Sequence, residues 1–165
     1  MKKNIIFLIG FMGSGKSTFG PKLSQALGYA FVDMDAYIEE QSGKTIPQIF
    51  AEDGESHFRT LETEAIHRLA LQPDCVIATG GGAPCFNGNM GLMNELGLTV
   101  YLALSPEKIA QRLVLDPTER PVLEGKKGED LLAHITAKLQ EREPFYKQAQ
   151  HIVDADAPEE LLQIL

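Results

Sequence analysis

Short, uninterrupted apolar runs alternate along this chain with stretches of helical period. The runs are "NIIFLI" (4–9), "AFVDM" (30–34), "CVIAT" (75–79), "LTVYLAL" (98–104) and "HIVDA" (151–155). Runs without apolar/polar alternation belong to strands covered on both faces, and the spacing between them leaves room for crossover helices. Helical patterns occupy Lys16–Leu27, Gly54–Leu71, Pro106–Leu113 and Glu129–Gln150. In the last, Leu131, Leu132, Ile135 and Leu139 form an apolar stripe, while Ser105, Pro106 and Glu107 read as a cap and first turn. The expectation is an α/β fold: one domain over residues 1–165, with a five-stranded parallel sheet and helices on both faces. There is no internal repeat or interdomain linker. One segment fits no element: "VLDPTERPVLEGKKGED" (114–130) is charged and broken by Pro117, Pro121, Gly125 and Gly128. A solvated surface loop is one reading; a lid over a site is the other.

Composition narrows the class without naming a chemistry. With 165 residues, 44% hydrophobic and 23% charged, the chain resembles ordinary soluble domains. No apolar run approaches the roughly 20 residues that span a bilayer. The opening "MKKNIIFLI" breaks at Gly10 with no small-residue cleavage site, which argues against export. Cys75 and Cys85 lack CxxC spacing and suit packing in a reducing cytoplasm, the expected location. Fifteen Lys and Arg against 23 Asp and Glu give a net charge of −8, the wrong sign for a nucleic-acid surface. Neither nucleic acid nor membrane is an expected partner. Any anionic ligand must be held by a few placed cations and backbone dipoles.

Such a device stands at the first strand. "GFMGSGKS" (10–17) fits G-x-x-x-x-G-K-[ST], preceded by an apolar strand and followed by an amphipathic helix. Glycines let backbone N–H groups wrap a phosphate chain at a helix N-terminus. The nucleotide-binding candidates are Gly13, Ser14, Gly15, Lys16, Ser17 and Thr18, with Lys16 supplying charge and Ser17 a hydroxyl for Mg²⁺. A Gly-rich turn with an incidental lysine lacks a reason for this context. Asp33 and Asp35 follow in "FVDMD". If both sit on the strand, their carboxylates share one face roughly 6–7 Å apart. The plainer alternative is an aspartate capping the next helix. In a nucleoside triphosphate site Asp33 would face the Mg²⁺ beside Ser17, leaving Asp35 for a second substrate.

Further along come "SGKTIPQIFAEDGESHFRTLE" (42–62), "TGGGAP" (79–84), "ERP" (119–121) and "REPFY" (142–146). With these in order the chain resembles the shikimate kinase family over nearly its whole length. The resemblance implies a P-loop NTPase fold with strand order 2-3-1-4-5. It also implies transfer of the ATP γ-phosphate, with Mg²⁺, to the 3-hydroxyl of shikimate in aromatic amino acid synthesis. In its terms Asp35 contacts the reacting diol and acts catalytically with Lys16. Arg59 and Arg142 hold the substrate carboxylate, and Gly80, Gly81 and Gly82 approach the ring hydroxyls. The broken segment becomes a lid over about 112–126, with Arg120 as a catalytic arginine that also touches nucleotide. Arg112 resembles the arginine that packs on adenine, and family members act as monomers.

The residues agree on chemical grounds. A planar guanidinium binds a carboxylate bidentately and stays charged, and Glu62, one turn beyond Arg59, is placed to orient it. Phe50 and Phe58 suit either an apolar ring wall or the core. The four histidines lack ligand spacing. Two features depart from the family: the acidic stretch "DADAPEE" (154–160) near the adenine position, and Pro21 inside the first helix. The competing readings are a gluconate or nucleoside monophosphate kinase, which has no need of "GExxFRxxE", "TGGG" and "RxPxY" together, and a catalytically silent nucleotide-binding module.

Overall fold

A computed structural model describes residues 4–115 and 128–165. Five parallel strands, β1 (Ile5–Ile9), β2 (Ala30–Asp33), β3 (Cys75–Ala78), β4 (Leu98–Ala103) and β5 (His151–Asp154), form one sheet in the order β2-β3-β1-β4-β5. The central strand pairs Ile5 with Cys75 on one side and Ile6 with Leu98 on the other. Every residue of β1 and β3 is buried. Because successive strand side chains point to opposite faces, both faces of the sheet's centre are covered. That is the α/β architecture the apolar runs predict, with strand ends shifted by no more than one residue. At the β5 edge burial is incomplete, and Ile152 is 53% exposed.

Eight α-helices stand among the described residues: α1 (Lys16–Leu27), α2 (Met34–Ser42), α3 (Ile46–Asp53), α4 (Glu55–Leu69), α5 (Asn89–Leu96), α6 (Pro106–Leu115), α7 (Gly128–Tyr146) and α8 (Leu161–Ile164). Four were legible as periodic stretches; the single-turn α8 was not, and neither were α2, α3 and α5. Each of those three buries too few residues to imprint a stripe: Met34 and Ile38 in α2, Ile49 in α3, and Asn89, Met90 and Met93 in α5. Helix α3 is instead set by its start. Thr45 accepts from Gln48 N–H while the Gln48 side chain accepts from Thr45 N–H, a reciprocal capping box. Helix α1 runs through Pro21, which lacks the N–H that would bond the Ser17 carbonyl; Ser24 Oγ donates back to the Pro21 carbonyl at 2.8 Å. Residues 112–115 of the expected lid are the last turn of α6, and its remainder, with Arg120, lies outside the described residues. Among the described residues no helix is long and apolar enough to cross a membrane.

Candidate active site

The C-terminal ends of the central strands open into a cleft of about 670 Å³, lined from the nucleotide loop through Asp33, Asp35, Arg59 and the three glycines to Arg112 and Arg142. Open parallel sheets bind ligands at this edge, where neighbouring strands send their connections to opposite sides.

The loop after β1 turns tightly, with Ser14 N–H donating to the Phe11 carbonyl at 3.1 Å. Gly15 sits at φ +97°, a left-handed conformation that a side chain would strain, and from there α1 begins. Lys16 is buried and its ammonium donates to the Gly10 and Phe11 carbonyls at 2.5 and 3.0 Å. The ammonium is therefore held inside the loop's own curve, where a phosphate chain would lie.

Asp33 takes the capping role and also meets Ser17. It is the last residue of β2 and the N-cap of α2: Oδ1 accepts from Ala36 N–H at 3.1 Å, and Oδ2 accepts from Ser17 Oγ at 2.6 Å. The expectation of two aspartates on one strand face is overturned, because the cap ends the strand and Asp35 lies in the first helical turn. The turn carries Asp35 across to the Gly80 side of the cleft. Its Oδ1 stands 2.9 Å from where a Gly80 Cβ would be.

Ser17 and Asp33 offer a hydroxyl and a carboxylate, already in contact, beside the phosphate loop. Magnesium takes hard oxygen ligands and keeps several waters, needing only one or two from protein. These two residues fit it. Among the described residues no cluster of three or more His, Cys, Asp or Glu side chains is arranged to hold a metal in a protein cage.

The far half of the cleft is built for an anion with an apolar body. Arg59 on α4 is buried, its Nη1 donating to Glu62 Oε1 at 2.7 Å and its Nη2 to Glu55 Oε1 at 3.1 Å. Its guanidinium lies over the Phe86 ring, 4.1 Å from the centroid, and 5.3 Å from that of Phe58. The Phe50 and Phe58 rings, 5.0 Å apart, line the cleft beside it. Arg142 on α7 is buried over Phe11, and its Nη1 has no hydrogen-bond partner among the described residues. A buried guanidinium nitrogen left unmatched marks a place where an anion is expected.

Glycine at 80 and 82 is a matter of room. A Cβ at Gly82 would stand 2.5 Å from Arg59 Nη1, and one at Gly80 would stand 2.8 Å from Glu62 Oε2. Tyr146 anchors the same loop by donating its hydroxyl to the Gly81 carbonyl. Burial pushes that phenol's pKa well up, so it stays a donor. Burial also raises the Glu62 carboxyl to about 7, against the pull of Arg59.

On the nucleotide side, Arg112 Nη1 donates to the Gly13 carbonyl at 3.2 Å, and Nη2 pairs with Asp156 Oδ1 at 3.1 Å. Lys108 binds the other Asp156 oxygen and holds that carboxyl below its usual range, with Arg112 assisting. The acidic stretch thus supplies a partner for Arg112. Sequence reasoning did not assign Asp156, Glu55, Tyr146 or Phe86 to the site. Glu55 was detectable at i−4 from Arg59, and Tyr146 closes the quoted "REPFY"; Phe86 carries no such signal.

Comparison with known proteins identifies the family. The family model described as shikimate kinase matches residues 12–164. A shikimate kinase of Parabacteroides distasonis is 48% identical over 151 residues, covering 92% of this chain and 87% of the relative. The crystal structure of shikimate kinase from Bacteroides thetaiotaomicron superposes with a TM-score of 0.89 at 45% identity, covering 93% and 87% of the two chains. Shikimate kinase from Acinetobacter baumannii, solved in complex with shikimate, superposes with a TM-score of 0.88 at 35% identity, covering 98% and 92%. The chain belongs to the shikimate kinase family.

Proposed function

We propose that this chain transfers the γ-phosphate of ATP to the 3-hydroxyl of shikimate. The observation that carries the reading is the pair of buried guanidiniums, Arg59 and Arg142, in one cleft with the phosphate loop. A hydroxylated ring acid needs both halves, whereas a nucleotide-binding module without an acceptor needs only the first.

Each residue has a task. The backbone N–H groups of Gly13 to Thr18 cradle the phosphates, and Lys16 exchanges the Gly10 and Phe11 carbonyls for phosphoryl oxygens. Ser17 and Asp33 would hold Mg²⁺, which when bound neutralises phosphate charge. Arg59 and Arg142 take the shikimate carboxylate, fixing the ring against Phe50 and Phe58. Gly80 to Gly82 let the backbone approach the ring hydroxyls. That anchoring presents the 3-hydroxyl to Asp35, which orients it and accepts its proton. In-line alignment supplies most of the catalysis in phosphoryl transfer, so a weak base suffices. Arg120, outside the described residues, stabilises the transferring group, and Arg112 packs on the adenine with Asp156 holding it in place.

The enzyme works as a cytoplasmic monomer with no nucleic-acid or membrane partner, in keeping with the charge of −8. The test is ADP release by the purified protein with Mg-ATP, with and without shikimate, and with gluconate, AMP and CMP as competing acceptors. Turnover dependent on shikimate is the expected result. Turnover with another acceptor alone, or with none, would overturn it.

A further inference from the structure

Glu62 faces the acceptor half of the cleft from full burial, and only half of its carboxyl group is engaged. Oε1 accepts from Arg59, while Oε2 is buried with no hydrogen-bond partner among the described residues. That second oxygen is aimed at Gly80, lying 2.8 Å from the point a Cβ there would occupy, and Asp35 Oδ1 lies 2.9 Å from the same point. Two carboxyl groups on different helices therefore converge on one residue that has no side chain to separate them.

The charges acting on Glu62 are Arg59 and Arg142, which favour its anion, and Asp35, which opposes it. Glu55 competes for Arg59 from the solvent side. The nearby Cys85 thiol, pushed up to about 11 by burial, contributes no charge. Burial outweighs both guanidiniums and leaves the Glu62 carboxyl at about 7 before any substrate enters. A substrate carboxylate adds one more negative charge to the same two cations. Of the side chains sharing Arg59, Glu55 is 56% exposed and keeps its hydration, whereas Glu62 is 1% exposed and cannot. The least hydrated anion is the one to be neutralised.

We propose that Glu62 takes up a proton when the substrate carboxylate binds Arg59 and Arg142, its Oε2–H then pointing toward the Asp35 side of Gly80 while Arg59 turns its charge to the substrate. Where Glu62 is ionised in the empty site, one proton passes from solvent to Glu62 per substrate bound, and no other bond changes. Glu62 is a positioning residue that acts through Arg59, and acceptor binding is linked to proton uptake. This rests on the carboxylate-holding roles given above to Arg59 and Arg142.

The linkage has a definite sign. Below about pH 7 Glu62 already carries its proton in the empty site, and affinity does not change with pH. Above that value, up to the higher pKa of the complex, affinity for shikimate falls by about tenfold per pH unit.

The test is titration calorimetry of shikimate into wild-type protein and Glu62→Gln at about pH 7.5, in HEPES and in Tris, whose ionisation heats differ. Wild type should give a buffer-dependent heat corresponding to proton uptake. Glu62→Gln keeps an acceptor for Arg59 and carries a permanent donor at the second position. Its heat should not depend on the buffer, its affinity should stay within about threefold of wild type near pH 7, and its alkaline decline should vanish. Buffer-independent heat in wild type would overturn the proposal and needs no variant. So would a loss of more than about tenfold in Glu62→Gln with its melting temperature kept, because Arg59 would then need a charged partner. Arg142→Lys reports separately on the carboxylate site. Weakened binding there with buffer-independent wild-type heat refutes the proton alone, and undiminished binding refutes the site itself.

Discussion

Arg142→Lys separates substrate anchoring from structure better than any change at Arg59. Removing Arg59 would leave Glu62 buried beside Asp35 without its ion pair, so lost binding and lost stability would arrive together. Arg142 is buried as well, but its Nη1 has no hydrogen-bond partner among the described residues, and its guanidinium packs on Phe11. Lysine keeps the charge and much of the stem while losing the planar fork that grips a carboxylate at two points. One charge-assisted hydrogen bond is worth about 1.5–3 kcal/mol, so KM for shikimate should rise roughly 10- to 150-fold. Because the anchor is made equally in the ground and transition states, kcat should stay within about threefold, as should KM for ATP. The assay is coupled ADP release at saturating Mg-ATP over a range of shikimate concentrations, with a thermal melt of each protein. An unchanged KM in a protein with unchanged melting temperature would refute the placement of the carboxylate between Arg59 and Arg142.

Three further outcomes follow from the same geometry. Arg120→Ala should lower kcat at least about tenfold with little loss of shikimate binding, since the role proposed for it is confined to the transferring group; an unchanged kcat removes that role. Asp33→Asn should be partly rescued by raised Mg²⁺ and Asp35→Asn should not, and equal rescue of both would contradict their division of labour. Gly82→Ala puts a methyl 2.5 Å from Arg59 Nη1 and 2.9 Å from Cζ, so the guanidinium must shift by about 1 Å. KM for shikimate should then rise by about tenfold or more, as steady-state kinetics will read, and a normal KM would mean that Arg59 does not define the site.

How much of this was legible depended on where the information sits. Strands β1, β3 and β4 are buried through most of their length, so hydrophobicity alone marks them. The nucleotide loop is local, its chemistry contained in consecutive residues. Asp35 shows the limit. A two-residue spacing implies a shared face only while the strand continues, and the carboxylate of Asp33 ends the strand by capping α2. The same side chain that serves the nucleotide half thus turns Asp35 toward the acceptor half. Glu62 was expected to orient Arg59 and does, at 2.7 Å. Its second oxygen, facing Asp35 across Gly80, depends on helices α2 and α4 meeting the loop after β3, a juxtaposition no local pattern encodes.

A chain of net charge −8 that takes two anionic substrates must keep its cations from being quenched by its own carboxylates. For Lys16, Arg112 and Arg59 the cleft does this by supplying a partner that substrate can replace or share. Lys16 is held by backbone carbonyls, which carry no net charge and can be exchanged for phosphate. Arg112 is held by Asp156, whose charge Lys108 already answers. Arg59 is held by Glu62, the one partner in this set that is both ionisable and sealed from water. Carbonyls are neutral and Asp156 is hydrated, so neither needs a proton to yield. A buried carboxylate yields its hold on a guanidinium most readily by becoming neutral, and that places the pH sensitivity of this active site on the acceptor side and not on the nucleotide side.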